Sequence, residues 1–305
     1  MASFNLRNVT FIALTACLLP THGMAGMAPP ASSAKTIACK QTPFAQVASL
    51  SQAAQAITCD NVGRLIIVGD YHGSNEIPSF VEQLVETASL HRPVRLGLEI
   101  EAFEQKSIQA FMESRGNAED RSALLHDGYW SVDQGRNSLA VVRLIERARA
   151  LHAQGHDVEL FTMVPAYPGD AAIEKAGGND AYWNLGLAES IRRELTSTPP
   201  GTLVIAFMGQ AHAAFTQPAQ ANKATATDRL LSYSPYLVET IVHGQTRSCT
   251  SEGCGSHAVG GSGIIPPNIL GKVDAKPGAP ETVYVRLPTL TPSPPAKAKA
   301  RKPAP

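Results

Sequence analysis

Four residues with reactive side chains stand close to short apolar runs in this sequence: His72, Glu76, Glu99 and His212. The two histidines each follow a glycine by three residues, in a pair of Gly-x-x-His motifs. Two imidazoles and a carboxylate are a common ligand set for a divalent transition metal that keeps one position open to water. The same groups can also act without metal, because a histidine oriented by a glutamate can serve as a general base on water. The sequence therefore predicts a hydrolase of an amide or ester. In it, His72, Glu99 and His212 position a metal-bound or directly activated water, and Glu76 orients an imidazole or acts as acid or base.

Each of these residues lies near the end of a predicted strand, where a site can be assembled from distant segments. β-Branched and aliphatic runs predict strands over residues 64–69, 94–99, 158–162, 202–208 and 237–242. Apolar residues at helical spacing predict helices over residues 77–90, 102–114, 138–154 and 181–195. This alternation is typical of a three-layer α/β fold with a mainly parallel sheet flanked by helices. Ligands of such sheets bind at the carboxyl ends of the strands, which is where the reactive residues fall.

Two stretches interrupt the alternation, residues 116–137 and residues 248–267, and the second is rich in glycine. We expect both to be excursions over the sheet edge that resemble a lid.

Other polar residues are candidates for binding substrate: Asp70, Asn75 and Glu101 near the strand ends, and Arg136 in the excursion over residues 116–137. An arginine fork suits a substrate carboxylate or an oxyanion. Each of these residues has a structural alternative, for example an arginine at the exposed start of a helix.

The motifs resemble those of the superfamily that joins Tiki metalloproteases, erythromycin esterases and ChaN-type haem-binding lipoproteins, over residues 65–242. The twin Gly-x-x-His pattern with Glu99 between its members is similar to Tiki proteases, in which these residues bind the catalytic metal. The segment from His72 to Glu76 is more similar to the esterases, which activate water without metal. The ChaN branch implies a different function, a haem- or metal-binding envelope protein without catalysis, with Tyr71, His72 or His212 as the axial ligand of haem. A degenerate relative that keeps the motif residues for structure alone is the third alternative.

The beginning of the chain has the pattern of a secretory signal peptide, with a basic start and a short apolar stretch, so residues 1–25 are expected to be removed. A second possibility is a lipid anchor on Cys17, which ends a lipobox-like segment. We expect residues 26–36 to be a disordered linker, residues 37–288 to be a single α/β domain and residues 289–305 to be a disordered tail rich in proline, alanine and lysine. The protein is thus expected to be exported, to the periplasm or beyond, with no transmembrane segment.

Four cysteines remain in the exported part, and they fall into two local pairs, Cys39 with Cys59 and Cys249 with Cys254. An oxidising compartment makes disulfides the simplest interpretation of these pairs. Lys and Arg together number 26, as do Asp and Glu, so the net charge is zero and no basic surface for nucleic acid is expected. A small molecule or a peptide is the expected partner.

Overall fold

In the part of the chain that the structure describes, nine strands form two sheets, and the larger sheet positions the candidate site. The strands are β1 (Leu65–Asp70), β2 (Val94–Glu101), β3 (Val158–Val164), β4 (Leu203–Gly209), β5 (Tyr236–Ile241), β6 (Gly244–Thr250), β7 (Gly253–Val259), β8 (Leu270–Lys272) and β9 (Glu281–Arg286). Seven of them make one sheet in the order β3-β2-β4-β1-β5-β9-β8, in which every neighbouring pair is parallel except the antiparallel β8 and β9. The mainly parallel α/β fold expected from the sequence is therefore confirmed.

The computed structural model describes residues 42–60, 63–250, 253–260, 265–274 and 277–297, all within one compact unit. The predicted signal peptide, the linker, Cys17, Cys39 and residues 298–305 lie outside the described residues.

The helices cover both faces of the large sheet. They are α1 (Leu50–Cys59), α2 (Glu76–Ser89), α3 (Gln105–Met112), α4 (Ala118–Leu124), α5 (Leu139–Ala153), α6 (Asp170–Ala176), α7 (Asn179–Ser197), α8 (Gln210–Ala213) and α9 (Ala226–Arg229). Successive strand side chains point to opposite faces. In β1, Ile66 and Val68 accordingly join the core under α1, α2 and α5, whereas Leu65 and Ile67 join a second core under α7. Both faces of the strand are buried, which explains its continuous apolar sequence.

The segment after β9, residues 288–297, is part of the fold, so the predicted start of the disordered tail at residue 289 is too early. Leu290 and Ser293 are buried, and Leu290, Pro292 and Pro295 form β-bridges to Gly244, Ser74 and Ser138 respectively. The prolines in this segment lack an N–H, but their extended backbone still offers carbonyl oxygens, and Pro294 accepts from Leu139 at 2.8 Å. We call residues 288–297 the C-terminal segment.

The predicted excursion over residues 248–267 contains regular structure that the sequence analysis missed. Strands β6 and β7 form an antiparallel hairpin outside the main sheet, and a disulfide between Cys249 and Cys254 joins them as predicted. Cys59 is disulfide-bonded as well, and its predicted partner Cys39 lies outside the described residues. The glycines in these strands obscured the β pattern, because glycine is depleted in strands.

Candidate active site

The three strands whose ends carry the predicted residues are neighbours in the sheet, in the order β2-β4-β1. Their loops open into one cavity of about 670 Å³. Of the predicted catalytic, haem-binding and substrate-binding residues, six line this cavity: Asp70, Tyr71, His72, Glu99, Arg136 and His212. The sheet edge thus brings together residues that are up to 142 positions apart (from 70 to 212) in the sequence.

His72 is held between two carboxylates. Its Nδ1 lies 2.7 Å from Asp70 Oδ2, and its Nε2 lies 3.5 Å from Glu99 Oε1. Burial alone would lower the pKa of His72, but Glu99 and Asp70 outweigh it and raise that pKa to about 10. Burial likewise opposes ionisation of Glu99, yet His72 holds the pKa of Glu99 at about 2. The pair is therefore an imidazolium and a carboxylate near neutral pH.

Gly209 makes room for this pair and also hydrogen-bonds to it. A Cβ atom on Gly209 would lie 2.9 Å from His72 Nε2 and 3.4 Å from Glu99 Oε2. The N–H of Gly209 donates to Glu99 Oε2 at 2.6 Å. The first glycine of the second Gly-x-x-His motif therefore serves for close approach; its φ of −51° is not a conformation that needs glycine.

Arg136 adds a second positive charge beside Glu99. Its Nη1 lies 3.7 Å from Glu99 Oε1, and its Nη2 donates to Glu101 Oε1 at 2.8 Å and to Gln134 Oε1 at 3.1 Å. The guanidinium carbon is 4.9 Å from the centre of the Trp183 ring, a cation–π distance. The predicted substrate-binding arginine thus lines the cavity, with its charge already paired by acidic residues.

His212 has a different partner, the amide of Asn184 on α7. Asn184 Oδ1 accepts the N–H of Ala226 at 3.0 Å, and it lies 2.9 Å from His212 Nδ1. The N–H of Ala226 can only donate, so the Asn184 atom that it contacts is the amide oxygen. Because that oxygen can only accept, His212 Nδ1 must carry the proton in their contact. Burial lowers the pKa of His212, although Glu99 opposes this shift. His212 is therefore a neutral imidazole whose Nε2 bears the lone pair.

Three of the predicted site residues do not line the cavity. Glu76 accepts hydrogen bonds from the backbone N–H of Thr291, at 2.8 Å, and from its hydroxyl, at 2.6 Å. Asn75 donates to the same residue, at 3.0 Å to its hydroxyl oxygen. Glu101 is the partner of Arg136 described above. Glu76 and Asn75 thus hold the C-terminal segment against the loop that carries His72.

The predicted metal ligands His72, Glu99 and His212 share the cavity, but their donor atoms do not converge on one point in this arrangement. A ligand set needs its donor atoms converged on one point, and the donor atoms of these three residues do not all lie within 4.8 Å of one another. The positive charges of His72 and Arg136 already face Glu99 Oε1, which would be the metal-binding oxygen.

A different group among the described residues does have its ligand atoms within 4.8 Å of one another: Glu104, His126 and Asp127. Glu104 is fully buried and directly follows β2, in a short 3-10 turn. Burial, with a contribution from Asp127, raises the pKa of Glu104 to about 7. These residues could hold a metal, and the sequence analysis had not selected any of them as a ligand.

Three further residues of the site were not predicted from the sequence: Gln134 and Gln210, which line the cavity, and Asn184, which contacts His212. Asn184 was detectable, because it lies on the apolar stripe of α7 with Ala181, Ala188 and Ile191, and a buried polar residue on such a stripe needs a specific partner. Gln134 and Gln210 carry no such signal.

No helix among the described residues is both long and apolar enough to cross a membrane. No family model matches the chain, and no curated protein matches it.

Several solved structures are weakly similar to this chain. The type III effector HopBA1 is 11% identical with a TM-score of 0.43, over 72% of this chain and 95% of that one. RRSP, a MARTX toxin effector domain from Vibrio vulnificus, is 16% identical with a TM-score of 0.42, over 72% of this chain and 39% of that one. A structure described as bacterial protein toxins is 16% identical with a TM-score of 0.43, over 71% and 39%. This chain thus corresponds to about two fifths of the length of the last two, and the similarity is too weak to carry an argument about function.

Proposed function

We propose that the protein is a hydrolase of an amide or ester bond that uses His212 as the base and His72 as the acid. The observation that carries this proposal is the contrast between the two imidazoles in one cavity. His72 contacts two carboxylates, whereas His212 contacts a neutral amide. Groups whose surroundings push their pKa values apart are suited to opposite roles in proton transfer.

In this mechanism the Nε2 of His212 takes a proton from water as the water oxygen attacks the carbonyl carbon. The carbonyl oxygen becomes negative, and the His72 imidazolium lies in the same cavity to offset that charge. The His72 proton then moves to the leaving nitrogen or oxygen as the bond to carbon breaks. A proton returned from His212 to His72, directly or through water, restores both imidazoles.

The carboxylates around His72 have positioning roles. Asp70 accepts from Nδ1 and so orients the ring, with Nε2 directed towards the cavity and Glu99. Glu99 is itself fixed by the N–H of Gly209. This arrangement agrees with the resemblance of the sequence to the erythromycin esterase branch, and membership of that superfamily is part of the proposal.

The test is a hydrolysis screen that covers nitrophenyl esters, lactones and unstructured peptides, with and without added divalent metal. We expect activity that needs no added metal and that falls by about 10²-fold or more in H212A and in H72A, the scale typical of general acid–base catalysis. H152A is the matched control, because His152 lies on α5 outside the cavity. Full activity in both site variants would overturn the assignment.

The two other functions that the sequence suggested are tested on the same variants. Activity that appears only with a transition metal, together with one equivalent of metal lost in H72A, would favour a metal-dependent hydrolase with His72, Glu99 and His212 as ligands. A Soret shift on addition of haem that H212A abolishes would favour a haem-binding protein, for which Tyr71 and His212 line a cavity of about 670 Å³.

A further inference from the structure

Glu104, His126 and Asp127 lie next to each other, and the proposed reaction uses none of them. The first follows β2, and the other two directly precede the 3-10 turn Tyr129–Ser131. Each offers one ligand atom, and these atoms all lie within 4.8 Å of one another. None of the three lines the cavity of the candidate active site.

The carboxylate of Glu104 is buried and only half satisfied. The residue has no exposed surface, and its Oε2 accepts from the indole N–H of Trp130 at 3.3 Å. The other oxygen, Oε1, is buried and has no hydrogen-bond partner. A buried carboxylate oxygen without a partner is costly, so such an atom indicates a missing ligand or proton.

The carboxylates of Glu104 and Asp127 form no close ion pair with another described side chain. Among the described residues, no Lys, Arg or His nitrogen lies within 4.0 Å of a carboxylate oxygen of Glu104 or Asp127. Lys297 approaches closely, but its ammonium donates to the main-chain oxygens of His126 and Asp127, at 3.1 and 3.4 Å. Two adjacent carboxylates in this setting require a cation or a shared proton.

The loop that carries His126 and Asp127 is held in place before any ligand arrives. The N–H of Tyr129 donates to Asp127 Oδ1 at 2.8 Å, and the N–H of Lys297 donates to the carbonyl of Trp130 at 2.9 Å. Trp130 itself is fully buried beside Glu104. The backbone of this loop and the carboxylate of Asp127 are therefore fixed beside Glu104.

We propose that Glu104, His126 and Asp127 form a binding site for a divalent transition-metal ion, distinct from the candidate active site. An imidazole with two carboxylates suits Zn²⁺, whereas Ca²⁺ takes six to eight oxygen ligands and gains little from imidazole. The bound ion joins the end of β2 to the loop that leads to Arg136. The site is structural, and it does not depend on the proposed hydrolase activity.

The test is titration of the full chain, freed of metal, with Zn²⁺ by calorimetry. We expect one equivalent to bind, and we expect H126A to weaken its binding at least tenfold, because even partners of metal ligands contribute about that much to affinity. His126 is exposed, so this variant is expected to fold. E104Q is the second variant, and it removes the charge while it keeps the shape of the side chain.

H152A is the control for this experiment too. His152 faces a single carboxylate, Glu113, at 3.8 Å, so it is a histidine–carboxylate pair without the third ligand. Loss of Zn²⁺ in H126A and E104Q, with retention in H152A and H212A, would support the site. The proposal would be overturned by loss of Zn²⁺ binding in H212A alone, by equal binding of Ca²⁺, or by no binding of Zn²⁺ to the parent protein. In the last case the two carboxyl groups share a proton instead of a metal ion.

Discussion

Replacing Asn184 by aspartate is expected to raise the pKa of His212 by about 1 to 3 units, the usual effect of an opposite charge in contact with an imidazole. The substitution keeps the size of the side chain and both of its acceptor contacts, to His212 Nδ1 at 2.9 Å and to the N–H of Ala226 at 3.0 Å. Coulomb's law with an effective dielectric constant of about 20 gives an attraction of about 6 kcal/mol at this separation, which is an upper limit. Burial of the new carboxylate offsets part of it, since Asn184 is only 7% exposed. A shift of 1 to 3 units corresponds to about 1.4 to 4 kcal/mol.

The assay is an NMR titration of the imidazole nitrogens, which needs no substrate. The chain has nine histidines, and the signals of His212 are identified by their loss in H212A. In the parent protein we expect the Nδ1–H tautomer and a pKa below 6.5, because burial lowers it. In N184D the raised pKa also adds stability to the folded state below pH 6.5, and this gain disappears as the pH rises through the new pKa.

The matched control is N179D, the same substitution at the exposed first residue of the same helix. We expect at most a small rise in the pKa of His212 there, because a charge at this end of the helix acts only at a distance, as that of Asp180 already does. An Nε2–H tautomer in the parent protein, or a shift of less than about 0.5 units in N184D, would refute the assignment of His212 as a neutral base oriented by an amide.

Three further predictions concern pH, the C-terminal segment and the loop after β1. Hydrolysis is expected to fall below pH 6.5, as His212 gains a proton, and near pH 10, as His72 loses one. A pH–rate profile without these two limbs would contradict the assignment of His212 as the base and His72 as the acid. L290A is expected to lower the free energy of unfolding by about 2 to 5 kcal/mol in urea, because Leu290 is 2% exposed, and a loss below 0.5 kcal/mol would mean that the segment is not packed. G73A is expected to be strongly destabilising, because Gly73 has a φ of +83° and a Cβ there would lie 1.8 Å from the carbonyl oxygen of Arg247. G128A is the control, because the space around Gly128 is open, and its free energy of unfolding is expected to stay within about 0.5 kcal/mol of the parent value.

The sheet and the residues at its edge could be predicted from the sequence because both depend on local patterns. Buried parallel strands such as Leu203–Gly209 are continuous apolar runs, and helices such as Leu139–Ala153 have apolar residues at helical spacing. The turn that follows each strand then fixes which edge a residue reaches. For this reason His72, Glu99 and His212 were assigned to one cavity without any knowledge of strand order.

The roles of individual residues depend on contacts that are distant in sequence, and those were not predictable. Glu76 appears catalytic in the sequence because it stands four residues after His72, yet its partner Thr291 is 215 positions away. The composition of the C-terminal segment predicts disorder, but Leu290 is buried, and Ser293 donates its backbone N–H to Gly73 and accepts with its hydroxyl from Ala140 of α5. Composition measures how much apolar surface a segment has, and it does not show whether neighbouring loops leave a groove for it.

The difference between the two histidines explains why equal motifs lead to unequal chemistry. Both follow a glycine at the end of a buried strand, and nothing in Gly-x-x-His distinguishes them. What distinguishes them is the groups that contact each ring: His72 lies between Glu99 and Asp70, whereas Nδ1 of His212 contacts the amide of Asn184. A carboxylate stabilises the charged imidazolium, whereas a neutral amide fixes the tautomer without adding charge. The strand ends therefore determine that the two imidazoles share one cavity, and the residues that contact each ring determine which imidazole holds the proton.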